Sequence, residues 1–209
     1  MKRPFVIGVT GGAGAGKSAC LSYIEANYDC LVIYADPEAA KLKKRGACCY
    51  EPVVELLGEE ILGEDGEIDN ALMARKILGD PALTQAVNAI IHPVVNARIR
   101  DMIEAERRSA AHDFVFVEAA LLIESGYEAF VDEMWYIYAR EEVRRRRLAE
   151  TRGYTEQRID DVFARQLSDA EFRAHCAVVI DNSDELIETR KQIDRILGEH
   201  IGGTERSAQ

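Results

Sequence analysis

The stretch "TGGAGAGKSA", Thr10 to Ala19, decides the fold of this 209-residue chain. The phosphate-binding pattern G-x-x-x-x-G-K-[ST] is matched there by Gly11, Gly16, Lys17 and Ser18. A short apolar run from Phe5 to Val9 precedes the loop, and a segment with helical spacing follows it. Strand, loop and helix in this order predict a loop that binds a nucleotide, rather than a glycine-rich turn without a ligand.

Each part of this loop suits the binding of ATP together with Mg²⁺. Glycines allow backbone N–H groups to approach phosphates closely, and the N-terminus of the following helix adds positive potential. Lys17 is expected to reach the β- and γ-phosphates, and Ser18 to ligate the metal ion. The predicted ATP contacts cover the loop from end to end: Gly11, Gly12, Ala13, Gly14, Ala15, Gly16, Lys17, Ser18 and Ala19.

The rest of the chain repeats the strand pattern, with helical patterns in between. Four further runs are rich in apolar and β-branched residues: Cys30–Asp36, Asp113–Glu118, Glu133–Ala139 and Cys176–Asp181. Strands that alternate with helices in this way pair in parallel and have right-handed crossovers. The prediction is an α/β fold, a P-loop three-layer sandwich with a five-stranded parallel sheet, in a single domain spanning 1–209.

Two segments extend the predicted sheet core. Residues 37–109 are mostly helical in pattern and exceed what a crossover requires, so we predict an insertion that binds a second substrate. Within it, Pro93 is expected to kink or end a helix. Residues 141–174 are helical and arginine-rich, and we interpret them as a lid over the nucleotide. The core then comprises about 1–36, 110–140 and 175–200.

Composition argues against several classes of protein. The formal net charge is −11, whereas binding to a nucleic-acid backbone requires clustered Lys and Arg. No apolar run approaches the ~18–20 residues that cross a bilayer. The five cysteines lack C-x-x-C spacing and predict neither a disulfide framework nor a zinc cluster. We therefore expect a cytoplasmic protein that binds neither nucleic acid nor membranes.

P-loops occur in switches, motors and kinases, and the residues favour a kinase. A GTPase would carry the base-reading motif N-K-x-D, which this chain lacks. ATPases that act as motors or remodelling machines are usually larger and oligomeric. A kinase for a small molecule is therefore the favoured class.

Acidic residues follow two predicted strands, at the sheet edge where parallel sheets bind ligands. Asp36 suits a general base for an acceptor hydroxyl and equally an N-cap before Pro37, and the two roles are compatible. Glu118 suits an acid that holds Mg²⁺ through water, with a solvated loop acid as the alternative. Glu124, taken alone, is better explained as a solvated loop acid.

Arginines cluster at the start of the predicted lid. Arg140, Arg144 and Arg147 share one face at helical spacing. Guanidinium groups on a closing lid neutralise charge on a transferring phosphoryl group, and Arg147 is the first candidate for this role. Most arginines in such a run form only a solvated face. His92 is most simply explained as an interior histidine of a helix.

Together these residues resemble the dephospho-coenzyme A kinase family from about Phe5 to His200. The resemblance rests on the order and spacing of short motifs: TGGAGAGKS, AD at Ala35–Asp36, HP at His92–Pro93, LLIE at Leu121–Glu124, RL at Arg147–Leu148, Gln166, and VIDN at Val179–Asn182. Only the phosphate-binding loop is specific by itself.

The resemblance implies a reaction and a set of roles. ATP, with Mg²⁺, would transfer its γ-phosphate to the ribose 3′-hydroxyl of dephospho-CoA, giving CoA and ADP. Asp36 is then the catalytic base, Lys17 acts on the phosphates, and Arg147 and Arg144 belong to the lid. Segment 37–109 becomes the acceptor-binding region of a monomer or weak homo-oligomer. The further implied contacts are His92, Leu121 and Glu124 for the acceptor and Asn182 for the adenine side.

Three positions depart from the family, which usually reads D-A-D and P-L-L-F-E. Tyr34 replaces the first Asp, Ala120 replaces the Pro, and Ala40 stands where the family carries His or Arg. Lys41, next to Ala40, is a candidate substitute for that cation. Two alternatives stay open: a P-loop kinase for another small hydroxylated or nucleotide acceptor, and an ATP-responsive binding protein without transfer chemistry.

Overall fold

The computed structural model describes residues 3–119 and 121–206 of the chain. These residues belong to two compact units, one formed by Met1–Val32 with Ala110–Gln209 and the other by Ile33–Ser109. Ala120, the position of the family's Pro, lies outside the described residues.

Five strands form one parallel sheet, which confirms the predicted α/β class. The strands are β1 (Phe5–Thr10), β2 (Cys30–Tyr34), β3 (Phe114–Glu118), β4 (Glu133–Tyr138) and β5 (Val178–Asp181). Their order in the sheet is β2-β3-β1-β4-β5. β1 is aligned with β3 at Val9↔Glu118 and with β4 at Thr10↔Tyr136, so the carboxyl ends of these strands share one edge.

Helices separate most of the strands along the chain and follow the last of them. In chain order they are α1 (Lys17–Asn27), α2 (Ala35–Leu42), α3 (Tyr50–Leu57), α4 (Asn70–Ile77), α5 (Pro81–Ser109), α6 (Glu141–Arg152), α7 (Glu156–Phe163), α8 (Asp169–His175) and α9 (Leu186–Arg206). The arginine-rich segment thus forms three helices, α6 to α8. Within residues 3–119 and 121–206, no helix combines the length and apolarity needed to cross a membrane.

Side chains of the central strands form the core of the first unit. Val6, Ile7 and Val117 are fully buried, and Phe116 packs edge-to-face on Trp135 with ring centroids 5.7 Å apart. A parallel strand covered on both faces reads as a continuous apolar run, which is why the sequence pattern identified these strands.

The second unit is mainly helical and contains α2 to α5. One stripe of α5 is buried at every fourth residue: Val87, Ile91, Val95, Ile99 and Ile103. This spacing places the stripe on one face of the helix. A 3-10 turn at Glu59–Ile61 and an isolated antiparallel bridge between Leu62 and Ile68 connect α3 to α4.

Two local alternatives in the second unit are contradicted. Pro93 does not end a helix, because α5 continues through it, and a kink at Pro93 stays a prediction. Pro93 is exposed, while the adjacent turns bury Ile91 and Val95. Packing of this stripe outweighs the ~3 kcal/mol that an interior proline costs. Asp36 is not an N-cap, because α2 begins at Ala35 with Tyr34 as the capping residue. Asp36 instead lies in the first turn, where the helix dipole favours a carboxylate.

Candidate active site

The phosphate-binding loop leaves β1 after Thr10 and enters α1 at Lys17. Gly16 is the N-cap of α1 and has a left-handed backbone with φ of 92°. A Cβ at this position would collide with Nδ2 of Asn182 and lie 3.4 Å from a guanidinium nitrogen of Arg147. Glycine is therefore required at Gly16 both by conformation and by space.

Lys17 is the cation of the loop, and two oxygens anchor it. Its Nζ donates a hydrogen bond to the carbonyl oxygen of Gly11 at 2.9 Å and lies 3.5 Å from Oε1 of Glu118. The side chains of Lys17 and Glu118 are only 16% and 18% exposed. Glu118 ends β3, as predicted, so the strand places a carboxylate beside the loop.

The residues expected at the metal fit a hard divalent cation. Ser18 is exposed in the first turn of α1, and Glu118 supplies a carboxylate oxygen near Lys17. Within the described ranges, no cluster of three or more His, Cys, Asp or Glu side chains forms a metal site. Mg²⁺ in kinases requires no such cage, because substrate phosphates and water complete its coordination.

Arg144 of α6 binds the loop at Ala13. Its Nε donates to the carbonyl oxygen of Ala13 at 2.9 Å, and its Nη2 donates to Oε1 of Gln166 at 2.6 Å. The guanidinium carbon lies 4.2 Å from the centroid of the Phe163 ring. Burial lowers the pKa of Arg144, but a guanidinium with an ordinary pKa above ~12 stays charged at neutral pH.

Arg147, one turn further along α6, contacts the next part of the loop. Its Nη1 lies 3.3 Å from the carbonyl oxygen of Ala15, and its Nη2 donates to the main-chain oxygen of Asn182 at 2.9 Å. The buried side chain of Asn182 donates to the same Ala15 oxygen at 2.8 Å and accepts from Thr189 at 2.9 Å. Arg147 and Asn182 therefore support the loop together.

Two other arginines of this run, Arg140 and Arg145, are engaged elsewhere. Arg140 precedes α6 and pairs with Asp184 at 2.6 Å. Arg145 pairs with Glu141 at 2.8 Å and with Asp160 at 2.7 Å, and these hydrogen bonds raise its pKa. The structure thus separates the two arginines that contact the loop, Arg144 and Arg147, from those that form surface ion pairs.

The predicted acceptor residues occupy both units. Asp36 is exposed in the first turn of α2, and His92 is half-buried on α5 in the second unit. Leu121 is 40% exposed, and Glu124 is also exposed, in the turns after β3 of the first unit. The roles of these four residues toward the acceptor stay predictions.

The sequence patterns missed Glu38, a buried carboxylate in the second unit. Its Oε1 accepts a hydrogen bond from Lys41 at 2.5 Å, and its Oε2 lies 3.5 Å from Nε of Arg98. The hydrogen bond from Lys41 is the largest influence that holds the pKa of Glu38 below its ordinary value. Lys41, the candidate substitute for the His or Arg that the family carries at the position of Ala40, is therefore an ion-pair partner of Glu38. A helical Glu in an acidic chain carries no sequence signal of such burial.

Comparisons with known proteins place this chain in a family. A family model described as dephospho-CoA kinase matches residues 5–188. A dephospho-CoA kinase from Mycolicibacterium paratuberculosis is 37% identical over 93% of this chain and 47% of its own length, so the chain spans about half of that relative. A dephospho-CoA kinase from Carboxydothermus hydrogenoformans is 35% identical over 92% of each chain.

The solved structures agree on the fold. A dephospho-CoA kinase from Campylobacter jejuni superposes with a TM-score of 0.72 over 95% of this chain and 98% of its own, at 20% identity. The family match covers most of the chain, including the loop, β3 and the arginines of α6. The chain belongs to the dephospho-CoA kinase family, the ATP-dependent kinases of coenzyme A biosynthesis.

Proposed function

We propose that this chain transfers the γ-phosphate of ATP to the ribose 3′-hydroxyl of dephospho-CoA, giving CoA and ADP. One observation carries the proposal: Lys17 is anchored inside the phosphate-binding loop while Arg144 and Arg147 hold the loop from outside. This arrangement supports a role for the loop in binding the phosphates of the donor.

The donor half of the reaction uses residues of the first unit. Loop N–H groups and the N-terminus of α1 bind the phosphates, and Lys17 exchanges its bond to Gly11 for a phosphate oxygen. Ser18, and Glu118 through water, would hold Mg²⁺, which neutralises charge on the phosphates when bound. Arg147 and Arg144 add positive potential as negative charge moves to the leaving group.

The acceptor half uses Asp36, whose exposed carboxylate is accessible to a hydroxyl. Asp36 orients the ribose hydroxyl and takes its proton while the hydroxyl oxygen forms a bond to the γ-phosphorus. The bond between that phosphorus and the β–γ bridging oxygen breaks, and ADP leaves with the electron pair. Positioning and electrostatics account for most of the catalysis in such transfers.

The remaining roles are part of the same proposal. We infer acceptor contacts from His92, Leu121 and Glu124 on the family pattern alone. The adenine-side role of Asn182 stays a prediction, and its bonds to Ala15 and Thr189 favour support of the loop. We further propose a cytoplasmic monomer or weak homo-oligomer without nucleic-acid partners, in keeping with five free thiols and a net charge of −11.

The first test measures ADP release with MgATP, with and without dephospho-CoA, while mass spectrometry follows the acceptor. We expect acceptor-dependent ADP and a gain of one phosphate. Lys17→Ala should lose most turnover, and Asp36→Asn should lose about 10²–10⁴-fold in kcat while keeping its affinity for ATP. Lys191→Ala, at an exposed ion pair with Glu188, is the matched control.

Each alternative has its own outcome in this experiment. Near-wild-type turnover in Asp36→Asn would remove the proposed base. ADP formed only with nucleoside monophosphates or sugar acids would assign another acceptor. Binding of MgATP without turnover on any acceptor would show an ATP-responsive binding protein.

A further inference from the structure

The side chain of Gln166 closes a ring of hydrogen bonds around the start of the phosphate-binding loop. Gln166 lies between α7 and α8, and its Oε1 accepts from the backbone N–H of Ala13 at 3.2 Å and from Nη2 of Arg144 at 2.6 Å. Arg144 returns to the loop through its Nε, which donates to the carbonyl oxygen of Ala13 at 2.9 Å. Gln166 and Arg144, which are bonded to each other, thus bind both the N–H and the carbonyl oxygen of Ala13.

Packing holds this ring in one geometry. The guanidinium of Arg144 lies over the ring of Phe163, which fixes the plane of the charged group. Gly12 leaves the space for the hydrogen-bonded side chains of Arg144 and Gln166. A Cβ at Gly12 would lie 2.6 Å from Cζ of Arg144 and 2.9 Å from Oε1 of Gln166. Arg144 and Gln166 are both partly buried, so these contacts are less screened than bonds at the surface.

The chemistry of the hydrogen-bond acceptor, Oε1 of Gln166, matters as much as its position. A glutamine oxygen orients a guanidinium without neutralising it, whereas a carboxylate would cancel the charge. Arginine carries five N–H donors, and this ring uses Nε and one N–H of Nη2. The rest of the guanidinium stays positive and able to donate to an anion beside the loop.

We propose that Gln166 is a positioning residue for phosphoryl transfer, which fixes Arg144 against Ala13 so that its full charge faces the polyphosphate of a nucleoside triphosphate. The inference rests on the proposed function and concerns the donor side of that reaction. Gln166 acts by holding Arg144 against the loop, and it does not touch the reacting atoms.

The test compares Gln166→Ala, Gln166→Glu and the wild type. Because a misplacement of ~1 Å costs up to about 100-fold in rate, we expect Gln166→Ala to lose about 10–100-fold in kcat/KM for ATP, with the KM for dephospho-CoA within about twofold. Gln166→Glu keeps an oxygen on Ala13 and Arg144 but adds negative charge, so it should raise the KM for ATP while the thermal midpoint stays unchanged. Gln157→Ala, an exposed glutamine of α7 that bonds Asp161, is the matched control.

A double-mutant cycle identifies the route of the effect. If Gln166 acts through Arg144, the variant with both Gln166→Ala and Arg144→Ala should be no worse toward ATP than Arg144→Ala alone. Fully additive losses would overturn the proposal. So would a Gln166→Ala protein that has a lower thermal midpoint but an unchanged kcat/KM for ATP, because that result assigns Gln166 a purely structural role.

Calorimetric titration with MgATP keeps this test separate from the identity of the acceptor. Weaker MgATP binding in Gln166→Ala supports the positioning role even if dephospho-CoA is not phosphorylated by the wild type, an outcome that would refute only the proposed function. Unchanged MgATP affinity together with wild-type turnover in Gln166→Ala would refute the positioning role and leave the proposed function intact.

Discussion

Replacing Asn182 with alanine tests what the end of β5 contributes to the loop. The side chain of Asn182 is 3% exposed. Its Nδ2 donates to the carbonyl oxygen of Ala15 at 2.8 Å, and its Oδ1 accepts from Oγ1 of Thr189 at 2.9 Å. Asn182→Ala removes both bonds and leaves the buried Thr189 hydroxyl with one long contact, 3.4 Å to the carbonyl oxygen of Asp181.

The expected cost follows from these contacts. One intramolecular hydrogen bond contributes about 0.5–1.5 kcal/mol net, and a poorly satisfied buried partner raises the cost of its loss. Two lost bonds and the weakened Thr189 give a decrease of about 2–3 kcal/mol in the free energy of unfolding. For chains of this size, each kcal/mol shifts the thermal midpoint by ~2–4 °C, so we expect a decrease of about 4–12 °C.

The assay combines thermal unfolding with titrations of MgATP and MgGTP. If Asn182 supports the loop, Asn182→Ala binds both nucleotides more weakly and in the same proportion, because the contacts to phosphate are common to both. Thr189→Val should be less destabilising in the Asn182→Ala background than in the wild type, since the two side chains share a bond. Asn27→Ala, which removes an exposed asparagine bond to the Tyr23 carbonyl, is the matched control.

Two results would refute this reasoning. A wild-type thermal midpoint in Asn182→Ala would show that the buried bonds contribute nothing measurable. A changed ratio of ATP to GTP affinity at unchanged stability would assign Asn182 to the adenine, as the family pattern implies.

Two further predictions concern groups outside the loop contacts. The bond from Lys41 keeps the pKa of Glu38 low, so this carboxylate stabilises the fold above its unfolded-state pKa of ~4.3 and stops doing so as the pH falls through the folded-state value. The destabilisation caused by Glu38→Gln, measured by urea unfolding at pH 7, should therefore shrink below about pH 4, and an equal effect at both pH values would contradict this. Burial raises the pKa of Cys20 to about 11 and of Cys176 to about 12, so iodoacetamide at pH 8 should label exposed Cys48 first. Early labelling of Cys20 in the folded protein would contradict that order.

The sheet and the loop were predictable because their physical causes are local in the sequence. A strand buried on both faces must be apolar where it is covered, as in residues 114–117, and a phosphate-binding loop needs glycines at fixed spacing. The start of α2 and the continuity of α5 were not predictable. α2 packs against α5, which lies far along the chain, and the local preferences at Pro37 and Pro93 do not reveal this contact.

The candidate site shows the same division between local and distant causes. Helical spacing grouped Arg140, Arg144 and Arg147 on one face, and of these Arg144 and Arg147 contact the loop, whereas Arg140 pairs with Asp184. Spacing did not reveal which atoms they bind, because Ala13 and Ala15 lie more than a hundred residues earlier in the chain. The burial of Glu38 was equally invisible, because the cation of Arg98 reaches it only in the folded second unit.

Charge explains how an acidic protein provides a site for a polyanion. The chain carries a net charge of −11, yet Lys17, Arg144 and Arg147 converge on one short loop, with Glu118 as the carboxylate paired to Lys17. Three of these four charges are positive, so the potential at the loop opposes that of the whole surface. The carbonyl oxygens of Ala13 and Ala15 are already bound by the arginines, so the electron-rich groups of the loop are neutralised before a ligand arrives. We therefore expect selectivity for a polyphosphate to arise from this local cluster, without a basic surface elsewhere.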